Sequence, residues 1–246
     1  LFLGLVAIGI AAAAIYLGPN GLAFVLHAER KSAPFVMVNL LDFEPSGSVD
    51  RYRAEYDEPN RAMIQSVGGR VLWEGQFVDL ISGTALDRWP YVVLTEYPSR
   101  AAYIDLVTSS EYRARLEVRD AALGRSALFA GTPRQDFEEG GQFFAMRLVQ
   151  GNREEWRVRY RNDWWNEDVA LLDAYAGRLV WRAKLNPLIA TDPDRFEEVF
   201  VFAFASAAAR NDWATDAERR TLQSLEQRLL RRDVLLLLDP VQSDTQ

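Results

Sequence analysis

Asn39, Glu74, Glu96, Arg147 and Arg182 stand at alternating positions inside otherwise apolar, strand-like runs. Period-2 alternation would place them on chosen faces of a sheet. Two chemistries fit. Glu74 or Glu96 could act as a general base beside arginines that hold an anionic substrate, which makes a polar pocket. The same charges could instead neutralise one another as ion pairs that fix how two modules pair. The chain has no cysteine and one histidine, His27, next to an apolar N-terminal run. Thiol catalysis, zinc–thiolate sites and iron–sulfur clusters are therefore excluded, and any triad or histidine-ligated metal would hang on His27 alone. No phosphate-binding glycine loop, H-E-x-x-H or G-x-S-x-G motif occurs. Asp192-Pro193-Asp194 reads as a turn. No catalytic residue, metal or cofactor is assigned, and the balance leans away from an enzyme.

Aromatic residues carry a second signal. Tyr52 and Tyr160 fall early in corresponding amphipathic segments, where a tyrosine packs its ring and bonds its hydroxyl locally. Trp156, Trp164, Trp165 and Trp213 are candidates for a partner or membrane interface, because adjacent helical residues such as Trp164 and Trp165 cannot both face a core. Arg228, Arg231 and Arg232 are expected near a helix end, where cations suit the dipole.

The elements that must position these residues follow from hydrophobic patterning. At 246 residues with 49% hydrophobic and 26% charged residues, the chain can fold two modest domains. A net charge of −7 disfavours nucleic acid as a partner. Residues Leu1 to Leu17 are apolar and uncharged, and a helix of that length, at about 1.5 Å per residue, spans most of a bilayer core. Residues 1–18 are read as a transmembrane anchor and 19–33 as a juxtamembrane linker.

The sequence repeats itself 108 positions on. Phe35 aligns with Phe143, Leu40 with Leu148, Gly69-Arg70 with Gly177-Arg178, Trp73 with Trp181, Val93 with Val201 and Leu128 with Leu236, all without a gap. The first copy, 34–131, reads as strand Phe35–Leu41, helix Val49–Val67 capped by Gly68-Gly69, strand or hairpin Arg70–Leu80, strand Tyr91–Tyr97, a helix from Pro98-Ser99 to about Leu116, and strand Ser126–Ala130. The second, 142–240, repeats this as strand Phe143–Val149, helix Glu154–Tyr175, strands Arg178–Ala183 and Val199–Ala205, helix Asp212–Leu230 and strand Val234–Leu238. Residues 132–141 link the copies and 241–246 form a tail. The fold class expected is α+β: an N-terminal transmembrane helix, then two tandem ferredoxin-like β-α-β-β-α-β modules. These are expected to pair face to face as an intramolecular dimeric α/β barrel.

Met37-Val-Asn-Leu-Leu41, Gly69-Arg-Val-Leu-Trp73, Val93-Leu-Thr-Glu-Tyr-Pro-Ser-Arg100, Tyr103 and Arg119-Asp-Ala-Ala-Leu123 occur in this order. Over residues 34–131 this pattern resembles the DUF1330 family of the dimeric α/β-barrel superfamily. The resemblance implies a fold and a pairing mode, not a reaction. Relatives in the wider superfamily include cofactor-free oxygenases and haem enzymes, and the lack of histidine within the modules counts against haem ligation. The expected function is that of a non-catalytic accessory subunit of a bacterial respiratory or photosynthetic membrane complex. It would sit in the inner membrane by one span, with its soluble part in the periplasm. Partners would be the lipid bilayer and integral membrane subunits contacting residues 1–26. The alternative is an α/β-barrel enzyme or small-molecule binder with a polar pocket between the modules.

Overall fold

In a computed structural model of the chain, the described residues are 33–45, 47–151, 165–189, 195–226 and 230–241. The expected anchor, His27, Trp156, Trp164, Tyr160, Arg228 and the Asp192-Pro193-Asp194 turn lie outside them. Among the described residues no helix is long and apolar enough to cross a membrane.

The first half runs β1 (Phe35–Phe43), α1 (Val49–Tyr52), a π-helical segment (Arg53–Asp57), α2 (Glu58–Ser66), β2 (Arg70–Ser82), β3 (Tyr91–Tyr97), α3 (Arg100–Thr108), α4 (Ser110–Ala122) and β4 (Leu123–Pro133). The second half repeats the order with β5 (Phe143–Gly151), α5 (Trp165–Ala174), β6 (Gly177–Ile189), β7 (Glu198–Phe204), α6 (Ala207–Thr215), α7 (Ala217–Glu226) and β8 (Leu230–Pro240). The strands hydrogen-bond in the closed order β1-β3-β2-β8-β5-β7-β6-β4, an eight-stranded barrel. The expected α+β class and barrel are thereby borne out. Strands join edge to edge, as where Gly75 of β2 pairs with Pro240 of β8, so paired edges replace the open ones that would otherwise seek partners.

Local chemistry explains the helix breaks. Helix Val49–Val67 is expected to kink, or to start a second turn, at Pro59, and the structure divides it just before that residue. Ser48 caps its start by accepting from the Arg51 amide at 3.1 Å. Pro59 then lacks an amide hydrogen and its ring crowds the carbonyl four residues back, and the π segment Arg53–Asp57 just before it absorbs the slip. The expected glycine cap is present. Gly68, at φ +76°, and Gly69 donate to the Gln65 and Ile64 carbonyls, both at 2.9 Å. The next helix divides at Ser109, whose hydroxyl caps α4 by accepting from the Tyr112 amide. Helix Asp212–Leu230 is likewise two helices, divided at Asp216, and Arg231 and Arg232 belong to β8.

The repeat contains a one-residue slip. Gly68 matches Ala176 at 108 positions, since each adopts positive φ after its helix. The capping serines Ser99 and Ser206 stand 107 apart and accept from Ala102 and Ala209. In β3 and β7, Asn39 faces Val93 while Arg147 faces Phe200. Val93 is therefore matched by Phe200 and Thr95 by Phe202, not by the residues an ungapped alignment selects.

By contacts the chain divides into two compact units. The first holds the described residues up to Glu74, Trp89–Thr132 and the end of β6 from Asn186. The second holds Gly75–Arg88, Pro133–Leu185 and the described residues from Arg195 on. The first unit's core gathers Phe35, Met63, Tyr97, Tyr103, Leu106 and Leu128, with Leu188 joining from β6. The second unit's core is built on Phe200, Phe202, Phe204, Trp213, Leu172 and Leu235. Trp213 is 2% exposed and packs 5.2 Å from the rings of both Phe202 and Phe204, so its expected place at an interface is corrected. Its indole is too large an apolar surface to leave in water when a core face is within reach.

Ala176 holds φ 50° where the first half has glycine. A Cβ in the left-handed region costs about 1 kcal/mol. Replacing Ala176 with glycine is expected to stabilise the chain by about 0.5–1 kcal/mol in urea denaturation, with an unchanged denaturant slope.

Candidate functional site

The structure separates the five polar residues singled out by alternation. Asn39 is half-buried on β1 and donates from Nδ2 to the Val93 carbonyl at 3.2 Å. Glu74, on β2, is buried and ion-paired with Arg61, with Arg53 at 3.9 Å. Glu96 pairs with Arg70 at 2.7 Å near the surface. In the second unit, Arg147 is 2% exposed and donates to Asp233 Oδ1 at 2.7 Å. Arg182 meets Glu198 at 2.6 Å and lies over the Phe200 ring. Each charge thus has a partner inside its own unit. Trp165 lies in α5.

What the structure brings together instead is a polar cluster in the first unit. Arg53, Asp57, Asn60 and Arg61 sit on the π segment and α2 at the i, i+4, i+7, i+8 spacing usual for a core-facing stripe. That spacing, filled with polar residues, is the signal sequence reasoning passed over. Asp57 is 7% exposed and accepts from the Tyr91 hydroxyl at 2.9 Å. Glu74 lies beside it. Burial pushes the Glu74 carboxyl up to about 7, and the neighbouring Asp57, by like charge and hydrogen bonding, adds to the rise against the pull of Arg61 and Arg53. Glu74 therefore changes charge near neutrality. Burial, then Asp57 and Glu74, raise Tyr91, which stays a neutral donor.

Beside this cluster, and inside the same unit, is a cavity of about 60 Å³. Asn39, Asp57, Asn60, Thr95 and Arg119 contribute to its lining, together with the rings of Tyr52, Tyr56, Tyr97, Tyr103 and Tyr112. The Tyr56 hydroxyl donates to that of Tyr112 at 2.9 Å, and burial holds Tyr56 and Tyr97 well above the usual phenol range. Tyr52 packs against Phe43, Tyr56 and Tyr91, as the core reading of that residue expects. Asn60 is 2% exposed, yet neither its amide nitrogen nor its carbonyl oxygen has a protein partner. A buried carboxamide left unbonded costs about 1–3 kcal/mol per group, so such residues are rare in native cores.

On the matching strand face of the second unit, Phe200, Phe202 and Phe204 stand where the first unit has Val93, Thr95 and Tyr97. The Phe200 and Phe202 rings stack at 6.4 Å. The unit's charge is held apart in the Arg147–Asp233 pair. Burial opposes ionisation of Asp233, but Arg147, Arg219 and a bond from Gln223 keep its carboxyl below the usual range.

A closed ring of strands in which each half follows the order β4-β1-β3-β2, with paired helices after the first and third strands, defines an α+β barrel of ferredoxin-like modules. Residues 47–131 match the model of the family described as "Domain of unknown function (DUF1330)". The chain is similar to a protein of unknown function from Rhodopseudomonas palustris: 26% identity over 48% of this chain and 97% of that one, with a TM-score of 0.43. A wider likeness reaches a putative monooxygenase from Fusobacterium nucleatum: 10% identity, 85% of this chain, 93% of that chain, TM-score 0.55. It also reaches a mutant chlorite dismutase from Candidatus Nitrospira defluvii: 10% identity, 87% of this chain, 94% of that chain, TM-score 0.52. These last two likenesses carry the fold alone. No curated protein matches the chain.

Two outcomes follow. Because the folded Glu74 pKa lies above its unfolded value, its contribution is complete below the ordinary carboxylate range and is lost as pH rises through about 7. Stability should fall by about 1–3 kcal/mol between pH 5 and pH 8, and Glu74→Gln should remove that part of the slope in urea titrations. Asp233→Asn should cost about 3–5 kcal/mol at pH 7, because it removes the carboxylate that pairs with the buried Arg147 guanidinium.

Proposed function

We propose that the protein binds a small molecule in the cavity of its first half, with the Asp57–Glu74 pair as a proton-holding group beside it. One observation carries this reading: the Asn60 carboxamide is buried, lines the cavity and has both its donor and its acceptor unused by the protein. Structural asparagines have their hydrogen bonds made; one that keeps them in reserve against a cavity is built to meet something else. A carboxyl that titrates near neutrality next to that cavity suits binding coupled to proton uptake, and is the kind of group that acid–base chemistry uses. The second half, filled by phenylalanines, is read as structural.

A second reading rests on that filled half and on the apolar run at residues 1–18. In it the chain is attached to a bacterial inner membrane by one span and faces the periplasm. There it braces a larger respiratory or photosynthetic assembly through integral membrane subunits and lipid at residues 1–26. The two readings are compatible, since a membrane-attached scaffold can carry one ligand site.

The test is a ligand-observed NMR screen of a fragment library against the full chain in mild detergent, repeated on Thr95→Phe, which copies the second half's Phe202 into the cavity. Wild type is expected to yield hits of millimolar affinity that Thr95→Phe loses while keeping its circular dichroism spectrum. Hits that persist unchanged in Thr95→Phe, or the absence of any hit, would sink the reading. Asn60→Ala, which enlarges the space instead of filling it, should keep apolar hits and lose polar ones.

A further inference from the structure

The cavity also constrains what end of a molecule it can take. This step rests on the reading that the first-half cavity binds a ligand. Its volume of about 60 Å³ is that of roughly two waters in the liquid, enough for a planar end group of about four heavy atoms. Five of its fifteen lining residues are tyrosines, whose rings suit a flat group. The lining carries one ionisable group of each sign, Asp57 and Arg119, so it has no net charge to match an ion. Arg119 already donates to Asp120 at 3.1 Å and to the Ser126 hydroxyl at 3.3 Å.

Within that neutral, flat space the unused groups are a carbonyl oxygen and an NH₂ on the same carboxamide. A side chain that offers a donor and an acceptor side by side is met best by a group that offers the same pair in reverse. A primary amide does so through a closed ring of two hydrogen bonds. A ketone of the same size supplies an acceptor only and leaves the Asn60 carbonyl unbonded.

We propose that the first-half cavity recognises the neutral primary-amide end of a small molecule through a two-bond pair with Asn60. The carboxamide of Asn39, which donates through Nδ2 to the Val93 carbonyl, lies on the same lining.

The probe is acetamide, with acetone as the isostere that lacks N–H. Both are titrated into uniformly ¹⁵N-labelled full chain while the side-chain NH₂ resonances of Asn60 are followed. Acetamide should shift those resonances saturably, acetone should bind at least about tenfold more weakly, and Thr95→Phe should abolish both responses. Equal binding of acetamide and acetone, or binding of acetone alone, would overturn the amide assignment while leaving a small-molecule site in place. Silence of Asn60 towards acetamide would overturn it as well. In that case a fragment screen whose hits are lost in Thr95→Phe preserves the broader reading, and a screen without such hits removes both. Asn60→Asp gives an independent arm. It keeps the shape and exchanges the NH₂ for an oxygen, so acetamide binding should weaken at pH 8, where that oxygen accepts only.

Discussion

The strand face that meets the helices must be filled to near-crystalline density by side chains, or else something other than side chains occupies the space. In β7 that face carries Phe200, Phe202 and Phe204, and with Trp213 they close the core. In β3 it carries Val93, Thr95 and Tyr97 in the same register against β1. Two phenyl rings are missing from the first half at Val93 and Thr95, and the cavity lies beside these two residues. The polar character of the first unit follows from that space. Tyrosines take the places that a dry core would give to phenylalanine, and their hydroxyls bond one another or Asp57.

The helix above the space is distorted by the same design. Pro59 forces a slip in the ladder, the π segment supplies it, and the extra residue turns Asp57 and Asn60 inward together. Once inside, Glu74 is buried beside Asp57, and the pull of Arg61 and of Arg53 at 3.9 Å does not offset that burial. Glu74 therefore keeps its proton into the neutral range. Arg147 and Asp233 resolve the opposite problem in the second unit by direct pairing, which fixes both charges and leaves nothing to titrate near pH 7. The two halves thus treat buried charge differently for a reason visible in their cores.

Much of this was legible in the sequence. Alternating apolar runs gave the strands, the Gly68-Gly69 cap gave a helix end, and the short blocks from Met37 to Leu123 gave a resemblance that the family match over residues 47–131 supports. Boundaries failed where a side chain re-cut a helix, as Ser109 and Asp216 do. The site was harder to see for two physical reasons. An ungapped repeat sets Thr95 over Ala203, and the one-residue slip that instead sets it over Phe202 shows only in strand register. Reading polar residues in strands also drew attention to Glu96, Arg147 and Arg182, whose partners are local salt-bridge groups. The stripe Arg53, Asp57, Asn60, Arg61 had the spacing of a buried helix face but was passed over because its members are polar.

The account stands on the first half holding a polar space open to exchange at Asn60, in contrast to the packed core around Trp213. Water-selective nuclear Overhauser spectra of the ¹⁵N-labelled chain address this directly, by comparing the Asn60 side-chain NH₂ with the Trp213 indole N–H. Both groups lack a protein partner, and each is 2% exposed. The account predicts cross-peaks from bound, exchanging water to Asn60 and none to Trp213. Water contacts at Trp213 as strong as those at Asn60, or none at Asn60, would contradict it.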